Sequence, residues 1–275
     1  MSKPRGVLIA GNWKMNLGPK ETEQFLADVK KQWAGAISAS SQKAIDNLSL
    51  KACIIPPVIC LEAAKRTMSG LPISLGAQNA HWEKKGPFTG ELSGAFLQEL
   101  GVQYVLTGHS ERRQLFGETD EMIRQRTEGL LAQDLRVILC VGETQEERVR
   151  NQTSVVLLRQ LSAVLPEPGR GAAKHLNGRL IIAYEPVWAI GTGLTATPEQ
   201  AEEGHEIIRK FLKDRFGKDA ASQTPLLYGG SVTPENISSL LACPNVDGGL
   251  VGSASLKSDG FLKLIEAGGH ALATP

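Results

Sequence analysis

Eight short apolar segments, each followed by an amphipathic segment, constrain the fold of this chain more than any other feature. Apolar or β-branched runs that alternate with helical periodicity are typical of βα units and a parallel sheet. The predicted strands lie near residues 7–11, 50–55, 73–77, 104–107, 137–141, 180–184, 226–229 and 247–251. The predicted helices lie near residues 19–33, 58–69, 93–100, 119–134, 144–165, 198–216, 234–242 and 259–267. Eight such pairs in ~250 residues predict an α/β fold, a closed (β/α)8 barrel formed as one domain over residues 1–275, whereas an open doubly wound sheet more often has five or six strands.

Local start signals support two of these helices. Thr197 is predicted to cap the helix that begins at Pro198, with Gln200 completing a capping box. The run Thr233-Pro234-Glu235 repeats the cap and the proline. We therefore expect helices to begin at both places.

Three connections are longer or more biased in composition than the others. Residues 35–49 are rich in Ser and Ala, and residues 166–178 are rich in Pro and Gly. Both lie between a helix and the next strand, on the barrel face opposite the chemistry, and are interpreted as tolerated insertions. The connection 78–91 follows the third strand, contains Trp82 and Phe88, and is predicted to be a lid or an interface loop.

Charge and hydropathy exclude several classes of protein. The formal net charge is +1, whereas nucleic-acid or acidic-membrane binding needs a basic excess. No apolar run approaches the ~20 residues that span a bilayer, and the apolar segment at the start is too short for a signal peptide. We expect a soluble, cytoplasmic protein that acts on a small molecule. Its four cysteines lack paired zinc spacing and are predicted to be reduced thiols in or near the core: Cys53, Cys60, Cys140 and Cys243.

Glu185 stands at the end of the apolar run that forms the predicted sixth strand. Pro186 ends this strand because proline has no amide hydrogen to donate. Gly191 and Gly193 follow, so the segment resembles a hinged flap beside an acid. A solvated Glu next to an ordinary turn would also give this pattern. Barrel active sites, however, are built just beyond the carboxyl ends of the strands, which favours a catalytic role.

Other polar residues follow the remaining strands, and they form an acid–base set beside a phosphate site. Gly229-Gly230-Ser231 after the seventh strand and Gly252-Ser253 after the eighth, where barrels bind phosphate on backbone amides, predict an anion cradle. Lys14 is predicted to add positive charge at the barrel mouth, although a lone lysine is usually solvated. His109 is either a structural histidine or part of the site. The residues at the strand ends are Asn12, Lys14, His109, Glu111, Glu143, Glu185, Gly229, Gly230, Ser231, Gly252 and Ser253.

Several other chemistries do not fit the sequence. It contains no G-x-S-x-G elbow and no HExxH motif, and its five histidines are scattered, so no metal site is predicted. The run 191–196 matches the loose dinucleotide pattern, but residues 186–190 separate it from the strand. An NAD-dependent oxidoreductase therefore remains only an alternative. A phosphate-binding protein without catalytic activity is a second alternative.

Six motifs in chain order resemble those of the triosephosphate isomerase family. They are GNWKMN at 11–16, TGHSERR at 107–113, CVGET at 140–144, AYEPVWAIGTG at 183–193, YGGSV at 228–232 and LVGSASL at 250–256. The resemblance runs from the first strand to the last and implies a TIM barrel, no metal or cofactor, and a homodimer. It also implies interconversion of dihydroxyacetone phosphate and D-glyceraldehyde 3-phosphate, as in glycolysis and gluconeogenesis.

The same resemblance implies roles for individual residues. Glu185 would be the base and His109 the electrophile, a pairing for which triosephosphate isomerase is itself the familiar example. Asn12 and Lys14 would hold the substrate. Thr89, in the GPFTGE loop, would reach the site of the neighbouring subunit. The phosphate would be bound by Gly191, Ser231, Gly252 and Ser253.

Glu111 and Glu143 are weaker candidates for proton transfer, and Arg112 and Arg113 are expected to pair with Glu111 and hold it charged.

The family usually has two glycines where this chain has Gly252-Ser253. A serine keeps the amide but restricts φ, so phosphate affinity could shift without loss of function.

Overall fold

A computed structural model of the chain describes residues 5–167, 178–191 and 195–273. Eight parallel strands pair in sequence order, and the first strand closes on the eighth through the pairs Leu8 with Gly248 and Ala10 with Leu250. The strands are β1 (Val7–Asn12), β2 (Leu50–Ile55), β3 (Ile73–Ala77), β4 (Val102–Thr107), β5 (Arg136–Val141), β6 (Leu180–Tyr184), β7 (Leu226–Tyr228) and β8 (Gly248–Val251). The predicted (β/α)8 TIM barrel is therefore confirmed.

The helices of the described residues surround this barrel. They are α1 (Pro19–Ala36), α2 (Ala39–Asp46), α3 (Leu61–Thr67), α4 (Gly94–Glu99), α5 (Ser110–Leu115), α6 (Asp120–Leu131), α7 (Gln145–Val149), α8 (Thr153–Val164), α9 (Pro198–Gln223), α10 (Ile237–Ala242) and α11 (Ser258–Ala273). Short 3-10 helices cover Val58–Cys60, Val187–Ala189 and Ser253–Ser255. None of the helices in the described ranges is long and apolar enough to cross a membrane.

Apolar side chains form two layers, as a barrel of alternating strand residues requires. The inner layer fills the barrel and includes Leu8, Ile55, Leu106, Ile138 and Leu250. The outer layer packs the strands against the helices. All four cysteines are free and buried, which confirms the prediction of core thiols.

Helix boundaries confirm some sequence signals and correct others. The Thr197 hydroxyl accepts a hydrogen bond from the Gln200 amide at 3.3 Å, and Gln200 Oε1 accepts from the Thr197 amide at 2.9 Å, so the predicted capping box is present. The prediction at Thr233 was wrong, because residues 234–236 form a turn and α10 begins only at Ile237. The predicted helix 144–165 is divided into α7 and α8. It breaks at Asn151, whose φ of 56° does not fit a right-handed helix.

The segment 35–49 contains a helix that the sequence pattern did not predict. The Ser38 hydroxyl caps α2 by accepting from the Ser41 amide at 3.3 Å. The Ser38 amide donates to Glu266 Oε2 on α11 at 3.0 Å, which fixes α2 against that helix. The segment is therefore an ordered part of the barrel's outer layer, where Ser and Ala allow close packing. Most of the segment 166–178 lies outside the described residues.

The connection between β3 and α4 is ordered by aromatic stacking. The ring of His81 stacks on Trp82 and on Phe88, with centroids 4.0 Å apart in each pair. The Arg126 guanidinium lies over the Trp82 ring, 5.6 Å from its centroid, and Arg126 also pairs with Glu91 at 2.9 Å. The loop therefore has a defined shape supported by α6.

Candidate active site

A cavity of about 490 Å³ opens at the carboxyl ends of the strands. The predicted site residues that line it are Asn12, Lys14, His109, Glu185, Gly191, Gly229, Gly230, Ser231, Gly252 and Ser253. They come from the carboxyl end of β1 and from the loops after β1, β4, β6, β7 and β8, so residues far apart in sequence meet at one barrel mouth. Glu143 does not line this cavity, and Thr89 is exposed on the loop after β3.

Glu185 follows β6, is 2% exposed, and has both carboxylate oxygens engaged. Its Oε1 lies 3.2 Å from His109 Nε2, and its Oε2 accepts a hydrogen bond from the Ser110 amide at 3.1 Å. Ser110 is the first residue of α5, so the positive end of a short helix faces the carboxylate. Ser110 was missed as a functional residue, although it lies within the TGHSERR motif.

Two glycines make room for this acid. A Cβ on Gly142 would lie 1.8 Å from the Glu185 carbonyl oxygen, and a Cβ on Gly229 would lie 2.7 Å from Glu185 Cγ. The first of the Gly229-Gly230 pair is therefore required by the packing of Glu185. The second is required by Tyr228, whose hydroxyl oxygen would lie 2.1 Å from a Cβ on Gly230. Gly229 and Gly230 are thus both explained by side-chain packing, and their approach to an anion stays a prediction.

The hydrogen bonds of His109 define its tautomer. Its Nδ1 accepts from the Glu111 amide at 3.3 Å, so Nδ1 carries no proton. The proton of a neutral ring is then on Nε2, which faces the cavity and lies 3.2 Å from Glu185 Oε1. The sequence could not reveal this, because it depends on the turn from β4 into α5.

Lys14 enters the cavity from the loop after β1 with a φ of 53°, an uncommon conformation for a side-chain-bearing residue. The turn is held on both sides, because the Lys14 amide donates to Asn12 Oδ1 at 3.1 Å and the Lys14 carbonyl accepts from Gln78 Nε2 at 2.6 Å. Its ammonium lies 2.6 Å from Glu111 Oε1.

The predicted pairing of Glu111 was therefore wrong. Arg112 pairs with Glu118 at 2.6 Å, and Arg113 pairs with Asp120 at 2.5 Å. Both arginines point along α5 toward α6, which leaves Glu111 to Lys14.

The residues of the predicted anion cradle differ in whether their donors are already hydrogen-bonded. Ser253 begins a 3-10 helix, whose first amides have no partner within the helix. Gly252 has φ −86° and ψ −113°, a combination that other residues adopt rarely, and a Cβ added there would have Lys14 Cε as its nearest neighbour, at 3.9 Å. Ser231 differs, because its amide and hydroxyl both donate to the Ala189 carbonyl, at 3.0 and 2.8 Å.

The segment after Glu185 is anchored on Glu143, a carboxylate with no exposed surface. Glu143 Oε1 accepts from the Tyr184 hydroxyl and from Trp188 Nε1, both at 3.0 Å. Burial raises the pKa of Glu143, and the hydrogen bonds from Trp188 and Tyr184 and the Arg148 charge oppose that rise. Glu143 thus holds the flap, a role that strand adjacency could have indicated, since Val141 pairs with Tyr184.

The predicted flap is described only in part. Val187–Ala189 form a 3-10 helix, and Gly191 has a φ of 66°, which favours glycine. Thr192 and Gly193 lie outside the described residues. The dinucleotide pattern at 191–196 lacks its usual context, because the 3-10 helix separates it from β6 and α9 begins only at Pro198.

No group of three or more His, Cys, Asp or Glu side chains in the described ranges is arranged to hold a metal ion.

Burial raises the pKa of the Cys140 thiol well above its usual value, and the charge of Glu185 adds to this rise. Cys140 is therefore an uncharged thiol under the acid.

The fold and cavity together define a β/α-barrel protein with a carboxylate, an imidazole and an ammonium group at the carboxyl end of its strands. The family model for triosephosphate isomerase matches residues 7–268. The chain belongs to the triosephosphate isomerase family.

The sequences of individual triosephosphate isomerases match this chain over nearly their whole length. The triosephosphate isomerase of Carboxydothermus hydrogenoformans is 45% identical over 266 residues, 97% of this chain and 99% of that protein. That of Lactobacillus delbrueckii subsp. bulgaricus is 43% identical over 261 residues, 95% and 98% of the two chains. That of Thermus thermophilus is 42% identical over 265 residues, 96% and 100% of the two chains.

Proposed function

We propose that this chain interconverts dihydroxyacetone phosphate and D-glyceraldehyde 3-phosphate through an enediolate intermediate. The observation that carries the proposal is the 3.2 Å approach of Glu185 Oε1 to His109 Nε2 in one cavity with Lys14. Removing a proton next to a carbonyl needs a base near the carbon and a hydrogen-bond donor at the oxygen where charge develops. Family membership supports the same reaction.

In this reaction Glu185 is the base that moves a proton between the first and second carbons of the triose. Its two oxygens are engaged by His109 and the Ser110 amide. The carboxylate must therefore leave these partners to reach the substrate. A base released from hydrogen bonds on substrate binding is more reactive than one that keeps them.

His109 donates from Nε2 to the substrate carbonyl oxygen, and it does so as a neutral ring because Nδ1 accepts from the Glu111 amide. Asn12 and Lys14 hold the substrate, and the Lys14 ammonium offsets its negative charge. Glu111 acts through its 2.6 Å ion pair with Lys14 and supports the position of the ammonium.

The phosphate is bound by the backbone of Gly191, Gly252 and Ser253 and by Ser231. Because the amide and hydroxyl of Ser231 donate to the Ala189 carbonyl, phosphate binding competes with this contact. Phosphate would thus release the flap segment 186–192 and favour its closure over the substrate. Closure excludes water and strengthens the electrostatic interactions inside the site.

The active assembly is a homodimer of single-domain subunits, each formed by residues 1–275. Large apolar side chains are exposed on the loops and helices that follow the first four strands: Met15, Val58, Ile59, Phe88, Phe96, Leu115 and Phe116. Grouped apolar side chains on a surface are typical of a protein interface, and this group supports one on that side of the barrel. Thr89 lies on the same side and reaches the partner's site. The expected compartment is the cytoplasm.

One experiment tests both substrate and reaction. Purified protein is incubated with dihydroxyacetone phosphate in heavy water and followed by proton NMR. We expect glyceraldehyde 3-phosphate to form with deuterium at the carbon that exchanges its proton. Absence of both product and deuterium would support the alternative of a phosphate-binding protein without catalytic activity.

A further inference from the structure

The amino ends of the strands surround a second cleft, at the end of the barrel opposite the candidate active site. Successive strand residues point alternately into and out of a barrel. Cys53 and Ile55 belong to the inner layer, so Lys51, two residues before Cys53, shares their side of β2. The same spacing puts Arg136 on the inner side of β5, because Ile138 is an inner residue. Both cations line the cleft.

These two cations are not neutralised by acidic side chains of the described residues. Arg136 Nη1 donates to the neutral Gln103 Oε1 at 3.2 Å, and its guanidinium lies 5.5 Å from the centroid of the Tyr104 ring. Lys51 has no ion pair within the described ranges. Burial lowers the pKa of Lys51, and the charge of Arg136 lowers it further. Two like charges therefore lie near each other at the amino end of the barrel, and Lys51 is exposed to solvent.

The acid in this cleft is already occupied. Both oxygens of Asp247 accept from Arg5 Nε at 2.8 Å, and its Oδ2 also accepts from Arg209 Nη2 at 2.7 Å and from the Leu226 amide at 3.0 Å. Asp247 has no exposed surface. Since two arginines balance one carboxylate, Asp247 offers nothing to Lys51 or Arg136, and the cleft keeps a positive excess.

Tyr104 adds a neutral donor to these cations. It lines the cleft, is 3% exposed, and burial raises its pKa to about 12, so the hydroxyl keeps its proton at neutral pH. The hydroxyl has no hydrogen-bond partner within the described ranges. Its oxygen reaches the surface of the cleft, so it can donate to a ligand there.

We propose that Lys51, Arg136 and Tyr104 bind a small inorganic oxyanion, with inorganic phosphate as the representative ligand, at the amino end of the barrel. A guanidinium, an ammonium and a phenol together provide the charge and the donors that a tetrahedral oxyanion accepts. The cleft has a volume of about 30 Å³ and opens to solvent, which suits a small ion.

The bound anion stabilises the barrel. Its negative charge offsets the repulsion between the two cations near the starts of β2 and β5. A ligand that binds only the folded state also raises stability by mass action. This inference does not depend on the proposed reaction, because the cleft lies at the other end of the barrel.

The test measures phosphate binding by isothermal titration calorimetry, at constant ionic strength maintained with chloride. The proteins are wild type, Lys51→Gln/Arg136→Gln, and a matched control, Lys31→Gln/Lys213→Gln, that removes the same charge from exposed helix positions of α1 and α9. We expect Lys51→Gln/Arg136→Gln to bind one phosphate fewer per chain than the other two proteins. Its thermal midpoint should also rise less on phosphate addition, by a few degrees at saturation.

Equal phosphate stoichiometry in all three proteins would overturn the inference. Tyr104→Phe keeps both cations and provides a second test. It should retain the site with at least a few-fold weaker affinity, and unchanged affinity would remove the phenol from it. Isomerase turnover is measured on the same proteins and should be unchanged in the variants. Loss of turnover in wild type would instead contradict the proposed function and leave the stoichiometry test intact.

Discussion

His109 Nε2 lies 3.2 Å from Glu185 Oε1, and the Ser110 amide binds the other oxygen of the same carboxylate at 3.1 Å. The turn from β4 into α5 thus brings an imidazole and a backbone amide to the one acid that follows β6. The Ser110 amide holds the base in place, and the imidazole lies beside it. The same imidazole proton is available for a substrate oxygen once the acid moves.

Replacing Glu185 with Gln should abolish proton transfer while leaving the fold intact. The amide has the shape of the carboxylate but cannot accept a proton, and general base catalysis contributes roughly 10²–10⁴-fold to rate. Steady-state kinetics should therefore show turnover lower by at least that factor. Phosphate binding and thermal unfolding should stay close to wild type, and normal turnover would exclude Glu185 as the base.

Replacing His109 with Gln should slow enolisation less severely than loss of the base. The glutamine amide can still donate a hydrogen bond, but its reach and orientation differ from those of Nε2. Removal of one donor at a developing oxyanion costs on the order of 10²–10³-fold in turnover. Deuterium exchange from heavy water measures this step directly, and a wild-type exchange rate would remove His109 from the electrophile role.

Strand positions were readable from sequence because parallel barrel strands are apolar on both faces and bounded by turn residues. Most residues that line the candidate cavity were predicted from the same count, since barrel chemistry lies at the carboxyl ends of strands. Which charged side chains pair with one another could not be predicted from the sequence. Lys14 selects Glu111 only because Arg112 and Arg113 find acids on the α6 side, and the reach of side chains across a turn is a three-dimensional property.

Helix α2 could not be predicted from the sequence for a different reason. Its sequence, ASSQKAID, has only eight residues, so propensity alone does not identify it. Its stability comes from the Ser38 cap and from contact with α11, including the bond to Glu266. Tertiary packing of this kind overrides local preference.

Replacing Tyr184 with Phe should destabilise the protein by about 1–3 kcal/mol, because Glu143 is buried and loses one of its two side-chain donors. Urea unfolding measures the change. Tyr104→Phe is the matched control, since that hydroxyl also sits on a nearly buried ring but has no partner within the described ranges. A loss of stability as large in the control as in Tyr184→Phe would contradict the role of the Glu143 contact.

Stability should fall as pH is lowered from about 6.5 toward 4 because of His205. Burial lowers the pKa of this histidine from its usual 6.5 to about 4. In that window the unfolded chain takes up a proton that the folded chain excludes, so protonation favours unfolding. Over this pH window the free energy of unfolding falls by about 3 kcal/mol at most. Above pH 6.5 the effect is absent, because both states are neutral.

Unfolding free energies from urea titrations at pH 7 and pH 4.5, at one protein concentration, test this. His205→Gln cannot titrate, so its loss of stability between the two pH values should be smaller than that of wild type by up to about 3 kcal/mol. An equal loss in both proteins would assign the acid sensitivity to other groups.

Replacing Gly229 with Ala should lower turnover through displacement of the catalytic acid. The new Cβ would lie 2.7 Å from Glu185 Cγ, closer than van der Waals contact allows, so the carboxylate or the β7 loop must shift. A misplacement of about 1 Å at a reacting group can cost ~10²-fold in rate. The matched control is Gly35→Ala in α1, where a Cβ meets nothing within 4 Å. It should keep full turnover and gain about 0.5–1 kcal/mol of stability, because alanine is preferred over glycine within a helix. Turnover in Gly229→Ala equal to that of the control would show that Glu185 tolerates the added methyl group and that its position is not fixed by this glycine.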